Sequence, residues 1–162
     1  MGIPKIAVED KYNLIGPEPF AKGYYGDVWK AEPKSCGSFT SLKAVAVAVK
    51  KIAAKKFAND LQAQREIENE NKCLTDLCGQ RGIVKLIDSF ENDEGVVFVT
   101  ELCKGTLDTL WKKCYQTFKA EVKEKVKAKM AYLHKGVDLF LNAACCVFVC
   151  QKNDIVHRDI KM

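Results

Sequence analysis

Apolar residues in the first hundred positions fall into short runs separated by turn-forming residues, a pattern typical of β-strands. The strand-like runs are 12–20, 25–31, 44–52, 83–90 and 96–102. The run 44–52 is continuous rather than alternating, which predicts a strand covered on both faces. A polar turn over 91–95 separates the last two runs and predicts a hairpin.

A helix is predicted between the third and fourth runs. Asn59 or Asp60 is a candidate N-cap, and the helix should continue to about Leu77, after which glycines follow. Ile67, Leu74 and Leu77 lie near one face at helical spacing, so that face is expected to be the packed one.

The chain becomes helical in pattern after Gly105. Residues 106–111 predict a short helix and 138–151 an apolar helix. Between them lies an amphipathic helix whose apolar positions recur every three to four residues, namely Val122, Val126, Met130 and Leu133. Strands followed by helices predict the α+β class, with the two parts meeting near 103–105.

Charge and composition narrow the function classes only slightly. Lys plus Arg is 26 and Asp plus Glu is 21, and the resulting +5 suits both an anionic ligand and ordinary solubility. No basic run is interleaved with stacking aromatics, so no nucleic-acid partner is expected. The apolar stretch 137–150 is shorter than a bilayer span and contains Asp138 and Asn142, so no membrane partner is expected and a buried helix is predicted.

The cysteine spacing and the N-terminal sequence indicate the cellular compartment of the protein. The eight cysteines form no Cys-x-x-Cys pair and no Cys/His quartet, which predicts reduced thiols at apolar positions and no metal site. The N-terminus has no apolar signal core, so secretion is not expected. Together these observations predict a cytoplasmic protein.

A glycine-marked turn lies between the first two strand-like runs, at Gly23 and Gly26. Small residues in such a turn let backbone N–H groups approach a triphosphate without a Cβ clash. An ordinary hairpin turn has the same composition, so both interpretations stand. A strand rather than a helix after the glycines argues against a Rossmann site.

Lys50 follows the apolar triplet Val47-Ala48-Val49. An ammonium group in such a strand is costly to bury unless it is paired, and a phosphate together with a carboxylate would pair it. The alternative is a strand-end lysine that points to water, an interpretation that the neighbouring Lys51 favours.

The partner carboxylate is expected on the predicted helix, where Glu66, Glu68 and Glu70 are candidates. Glu70 fits best because it lies on the edge of the apolar face, four residues before Leu74. Glu66 is one turn earlier and is the fallback, and any of the three is otherwise a solvated surface acid.

Two further segments carry chemistry. The strand 97–102 leads into Lys104-Gly105, and a strand that leaves its sheet there exposes backbone groups able to bind the edge of an adenine ring. Near the end of the chain, Asp159 of the His157-Arg158-Asp159 triplet is a candidate to accept a hydroxyl proton, and Lys161 to neutralise a transferring phosphoryl group.

These features, in this order, resemble the protein kinases over about 12–162. The resemblance implies a partial kinase domain over 1–162. It would have an N-lobe (12–102) with a five-stranded antiparallel sheet and one helix, a hinge (103–105) and the first helices of a helical C-lobe (106–162). It also implies ATP with Mg²⁺ and a protein substrate, and Lys161 resembles the Ser/Thr kinases.

The resemblance assigns the site residues. Val28 and Ala48 would enclose the adenine, and Thr100 would be the gatekeeper. The residues placed at the nucleotide are Ala21, Gly23, Gly26, Val28, Ala48, Lys50, Glu70, Thr100, Glu101 and Cys103. The residues placed at the transferred phosphoryl group are His157, Arg158, Asp159 and Lys161.

Departures from the family pattern indicate that the chain lacks residues needed for kinase activity. Ala21 replaces a glycine, and the sequence contains neither the catalytic-loop Asn nor an Asp-Phe-Gly, the protein ligands of Mg²⁺. We therefore expect the chain alone to be inactive, with an apolar helix that a partner could cover. A truncated pseudokinase that binds nucleotide or protein is the alternative, and a small α+β protein with an accidental likeness is the third hypothesis.

Overall fold

The computed structural model describes residues 6–34, 45–121 and 126–156. The chain divides into two compact units. The first comprises Met1–Cys78 and Val84–Leu102, and the second comprises Gly79–Ile83 and Cys103–Met162.

The first unit is built on one antiparallel sheet. Its strands are β1 (Tyr12–Ile15), β2 (Ala21–Lys22), β3 (Asp27–Pro33), β4 (Val47–Ala53), β5 (Leu86–Asn92) and β6 (Gly95–Glu101). Their order is β1-β3-β4-β6-β5, with β2 paired to the side of β3. The predicted α+β class is confirmed, and β4 lies at the centre of the sheet.

In the part of the chain that the structure describes, the sheet has six strands where five were expected. The predicted strand 12–20 is interrupted at Gly16, which adopts the left-handed φ of +97° and is followed by Pro17. Glycine adopts this conformation at little cost, whereas proline cannot donate to a ladder, so the predicted run is shortened to β1. The short β2 begins after the end of that run.

The central strand β4 is covered on both faces, as its continuous apolar sequence predicts. Alternation along the strand sends Val47 and Val49 to one side and Ile52 to the other. Val47 and Val49 join a cluster that includes Tyr12, Ala31, Val97 and Val99. Ile52 joins a second cluster with Ile67 and Phe98.

Helix α1 (Val8–Lys11) lies on the first face and was not predicted from the sequence. Val8 is fully buried in the cluster of that face. Lys11 Nζ donates to Asp88 Oδ2 at 2.8 Å, and the Tyr12 hydroxyl donates to the same oxygen at 3.4 Å. Burial, with a further contribution from Asp88, raises the pKa of Tyr12. A single helical turn is too short to produce a recognisable periodicity.

Helix α2 (Leu61–Asp76) lies on the second face and follows the prediction closely. Asp60 is its N-cap: one carboxylate oxygen accepts from the backbone N–H of Gln62 at 2.9 Å and of Ala63 at 3.0 Å. The buried residues Ala63 and Ile67 form the packed face, and Leu77 is the C-cap.

Within its described residues, the second unit contains two helices, α3 (Leu107–Glu121) and α4 (Val126–Lys152). The predicted short helix 106–111 is wrong, because α3 continues for 15 residues. The predicted division between an amphipathic and an apolar helix is also wrong, since α4 is continuous over 27 residues. No proline interrupts this stretch, so the helix passes through Gly136.

Aromatic residues join the two helices. Tyr132 of α4 lies with its ring centroid 5.0 Å from that of Trp111 and stacks on Phe118 at 4.5 Å. Gly136 allows close approach, since a Cβ there would lie 3.1 Å from the Trp111 ring. This packing explains why the helix tolerates a glycine.

The apolar residues of α4 are largely exposed, so the expectation of a buried helix over 137–150 is wrong. Phe140 is 71% exposed and Phe148 62%. Met130–Lys152 is 23 residues long and apolar enough to cross a membrane by length and composition, a test that the core helix of a soluble protein also passes. This helix extends beyond the predicted apolar stretch 137–150 at both ends.

We expect the Asp60→Ala substitution to lower the free energy of unfolding by about 1 kcal/mol, because two backbone N–H groups at the start of α2 lose their acceptor. Urea denaturation followed by circular dichroism measures this change. Asp60→Asn retains an acceptor oxygen and should lose less than half as much. Equal losses in the two variants would show that the cap does not stabilise α2.

Candidate functional site

The candidate adenine-binding residues lie on one face of the sheet. Cross-strand partners in an antiparallel sheet share a face. Val28 pairs with Lys50, and Ala48 pairs with Thr100. Because Ala48 and Lys50 are two positions apart on β4, all four side chains project from the same side. This is the side that also carries Phe98 and helix α2.

The ammonium group of Lys50 is paired with Glu70. Lys50 Nζ lies 2.6 Å from Glu70 Oε1 and 2.7 Å from Oε2, so both carboxylate oxygens accept from it. The Lys50 side chain is only 27% exposed. Glu70 reaches it because it lies three residues after the buried Ile67, on the same face of α2.

Lys51 has a different environment. It projects from the opposite face of β4, where its Nζ lies 3.4 Å from Glu9 and 3.3 Å from Glu94. The alternative that Lys50 is a strand-end lysine directed at water does not describe the structure. Alternation along one strand thus places the two adjacent lysines on opposite faces, where they pair with different carboxylates.

The other candidate acids on α2 do not meet Lys50. Glu66 accepts a hydrogen bond from the hydroxyl of Tyr25, which lies in the 21–28 hairpin. This hydrogen bond raises the pKa of Tyr25 to about 12. Glu68 is exposed. The role of Tyr25 was missed from the sequence, although its place between the two glycines was visible.

The 21–28 hairpin is packed against the central strand. The Gly23 N–H donates to the Gly26 carbonyl at 2.8 Å and closes the turn. Gly26 is buried, and a Cβ there would collide with the Lys51 carbonyl oxygen and lie 2.9 Å from its carbon. Ala21 pairs with Val28 and is exposed. Gly26 is therefore required by packing, independently of any ligand.

Two of the three predicted hinge-side residues lie in the first unit. Glu101 is anchored to Lys85, since its backbone N–H donates to the Lys85 carbonyl at 3.0 Å and its Oε1 accepts from the Lys85 N–H at 2.8 Å. The Thr100 hydroxyl donates to the Glu101 carbonyl at 3.3 Å. Because its N–H is engaged, Glu101 can offer a ligand only its carbonyl. Cys103 is exposed and belongs to the second unit.

The predicted catalytic residues His157, Arg158, Asp159 and Lys161 lie outside the described residues. Among the described residues, no three His, Cys, Asp or Glu side chains group together as metal ligands. The described part of the site is therefore an apolar sheet face with a carboxylate-paired lysine beside a glycine hairpin.

Comparison with known proteins identifies the family. Residues 21–162 match the protein kinase domain, and this chain belongs to that family. CDPK-related kinase 1 of Arabidopsis thaliana is 31% identical over 140 residues, which cover 86% of this chain and 21% of that protein. Cyclin-dependent kinase 20 of Danio rerio is 30% identical over 154 residues, which cover 94% of this chain and 37% of that protein.

Calcium-dependent protein kinase 3 of Plasmodium yoelii yoelii is 28% identical over 158 residues, covering 95% of this chain and 24% of that protein. The chain thus spans between 21% and 37% of the length of these relatives.

We expect Gly26→Ala to destabilise the fold by about 2 kcal/mol or more, because the added methyl group collides with backbone atoms that cannot rotate away. Chemical denaturation of the purified variant measures the effect. Gly23→Ala is the matched control: its Cβ would lie 3.2 Å from the Gly26 carbonyl oxygen, a contact that small shifts relieve. Similar stability of the two variants would contradict the packing role of Gly26.

Proposed function

We propose that this chain binds ATP through the first unit and is part of a kinase that phosphorylates Ser or Thr in protein substrates. The observation that carries the proposal is the Lys50–Glu70 pair, at 2.6 and 2.7 Å, on the face that also bears Val28 and Ala48. Protein kinases in general use ATP with Mg²⁺, and the residue types on this face suit both parts of the nucleotide.

The apolar and charged groups have separate roles in this proposal. Val28 and Ala48 are side chains that an adenine ring can pack against, and the Glu101 carbonyl is an acceptor for its amino group. Lys50 contributes positive charge to the phosphates. Glu70 holds the flexible lysine in a single direction, so that less side-chain entropy is lost when phosphate binds.

We assign the phosphoryl-transfer step to residues outside the described part of the chain. Asp159 would orient the attacking hydroxyl and accept its proton, and Lys161 would balance charge on the transferring group. His157 and Arg158 complete the same triplet. Mg²⁺ supplies charge neutralisation between the phosphates when it is bound. Among the residues that the structure describes, no group of three His, Cys, Asp or Glu side chains is placed to hold it.

We expect Lys50→Met to weaken ATP binding by about tenfold or more, because the phosphates lose a charge-assisted contact and Glu70 is left unpaired beside them. Isothermal titration with ATP measures the affinity. Lys51→Met is the matched control, since the neighbouring lysine lies on the opposite face of β4.

Three outcomes are distinguishable in that titration. A selective loss in the Lys50 variant supports the proposal. Equal losses in both variants would indicate a general charge effect, and absence of ATP binding by the unsubstituted chain would contradict the proposed function.

We also expect the 162-residue chain by itself to show negligible phosphotransferase activity, because its sequence contains no Asp-Phe-Gly and no catalytic-loop Asn to hold Mg²⁺. Transfer of labelled phosphate to a mixture of Ser/Thr peptides measures this. Asp159→Asn is the control that separates the activity of the chain from contamination. Steady turnover that disappears in Asp159→Asn would show that the chain is catalytically competent.

A nucleotide-binding module is the second candidate function, and Ala21 in place of the first loop glycine favours it. ATP binding without turnover in the two preceding experiments is the result that supports it. A cytoplasmic location is consistent with either function and is proposed for both.

A further inference from the structure

Tyr25 stands at a junction between the glycine hairpin and helix α2. Its ring packs against the cluster of Ile52, Ile67 and Phe98. Its hydroxyl donates to Glu66 Oε2, at a position one helical turn before Glu70. The tip of the hairpin is therefore bound to the same helix face that holds Lys50.

The acceptor of this hydrogen bond is itself oriented. Gln62 Nε2 donates to the other oxygen of Glu66 at 3.1 Å, and the backbone N–H of Gln62 is held by the Asp60 cap. On the hairpin side, Lys56 Nζ donates to the carbonyl of Tyr24 at 3.1 Å. The loop tip is thus fixed from two directions, by a side chain to α2 and by its backbone to the turn after β4.

We propose that Tyr25 is a positioning residue for the phosphate groups of the nucleotide, an inference that rests on the proposed function. Its hydroxyl joins the hairpin to α2, so that the hairpin, Lys50 and Glu70 adopt one arrangement before ligand binds. A loop that occupies its competent position only part of the time binds more weakly by that fraction.

The hydrogen bond between Tyr25 and Glu66 should affect binding of the phosphates and not binding of the base. Adenine packs against Val28 and Ala48 on the sheet, whose positions are set by the strand ladder and not by Tyr25. The hairpin tip and Lys50 are the groups that face phosphate in the proposed complex. ATP affinity is therefore expected to depend on the Tyr25 hydroxyl, whereas adenosine affinity is not.

The test uses Tyr25→Phe, which keeps the packed ring and removes only the hydroxyl, together with Glu66→Ala and Glu66→Gln. Hydrogen exchange of the amides of 21–28 in the unliganded chain measures how firmly the Tyr25–Glu66 hydrogen bond holds the hairpin. Titrations with ATP and with adenosine measure the effect of this hydrogen bond on binding, and urea denaturation measures global stability. Tyr24→Phe is the exchange control, because that ring is 88% exposed and lies next to Tyr25.

We expect Tyr25→Phe and Glu66→Ala to accelerate exchange of the hairpin amides and to weaken ATP binding about three- to tenfold, with adenosine affinity unchanged. The double variant should lose no more than either single variant, since both remove the same bond. Glu66→Gln keeps an acceptor and should restore most of the affinity. Tyr24→Phe should leave the exchange of the hairpin unchanged.

Different results would overturn the positioning role of Tyr25 and the proposed ATP binding. Normal exchange in Tyr25→Phe, or equal losses of ATP and adenosine affinity, would overturn the positioning role while ATP binding stands. Additive losses in the double variant would do the same. A chain that binds neither ATP nor adenosine would overturn the proposed function and, with it, this role of Tyr25.

Discussion

The structure of the first unit depends on β4 being packed on both faces. Alternation of side chains along this central strand leaves no freedom in register, since a shift by one residue would exchange the two apolar clusters. Val49 would then face α2, and Ile52 would face α1. The same constraint fixes Lys50 and Lys51 on opposite sides. The chemistry of the site therefore follows from the hydrophobic packing of the strand that carries it.

The Lys50–Glu70 pair is a result of this packing more than its cause. The side chain of Glu70 is 35% exposed, and ion pairs that solvent reaches contribute about 0–1 kcal/mol. Ile67 against Ile52 and Phe98 places α2 on the sheet, and the Asp60 cap defines where the helix begins. Together they bring Glu70 to Lys50 and Glu66 to Tyr25. A helix turned by one residue would lose both contacts.

The second half of the chain shows where sequence patterns were a poor guide. Periodicity predicted three helices after the linker, but in the described residues of this region the helices are α3 and α4. Gly136 and Asp138 resembled a boundary, although glycine only weakens a helix and does not end it. Close packing of Trp111 against Gly136 uses the small residue for contact. The additional strand β2 was missed because its two residues are too few to give a recognisable alternation.

The sequence alone determined the α+β class, the capped helix α2 and the central strand, and it named the candidate residues of the site. These are properties of local pattern, since a strand or a cap is defined by residues close together in the chain. Tertiary structure decided that Glu70 and not Glu66 pairs with Lys50, that Tyr25 contacts Glu66, and that α1 covers the first face of the sheet. Each of these contacts joins residues distant in sequence. They form only where the helices pack on the two apolar faces of one sheet.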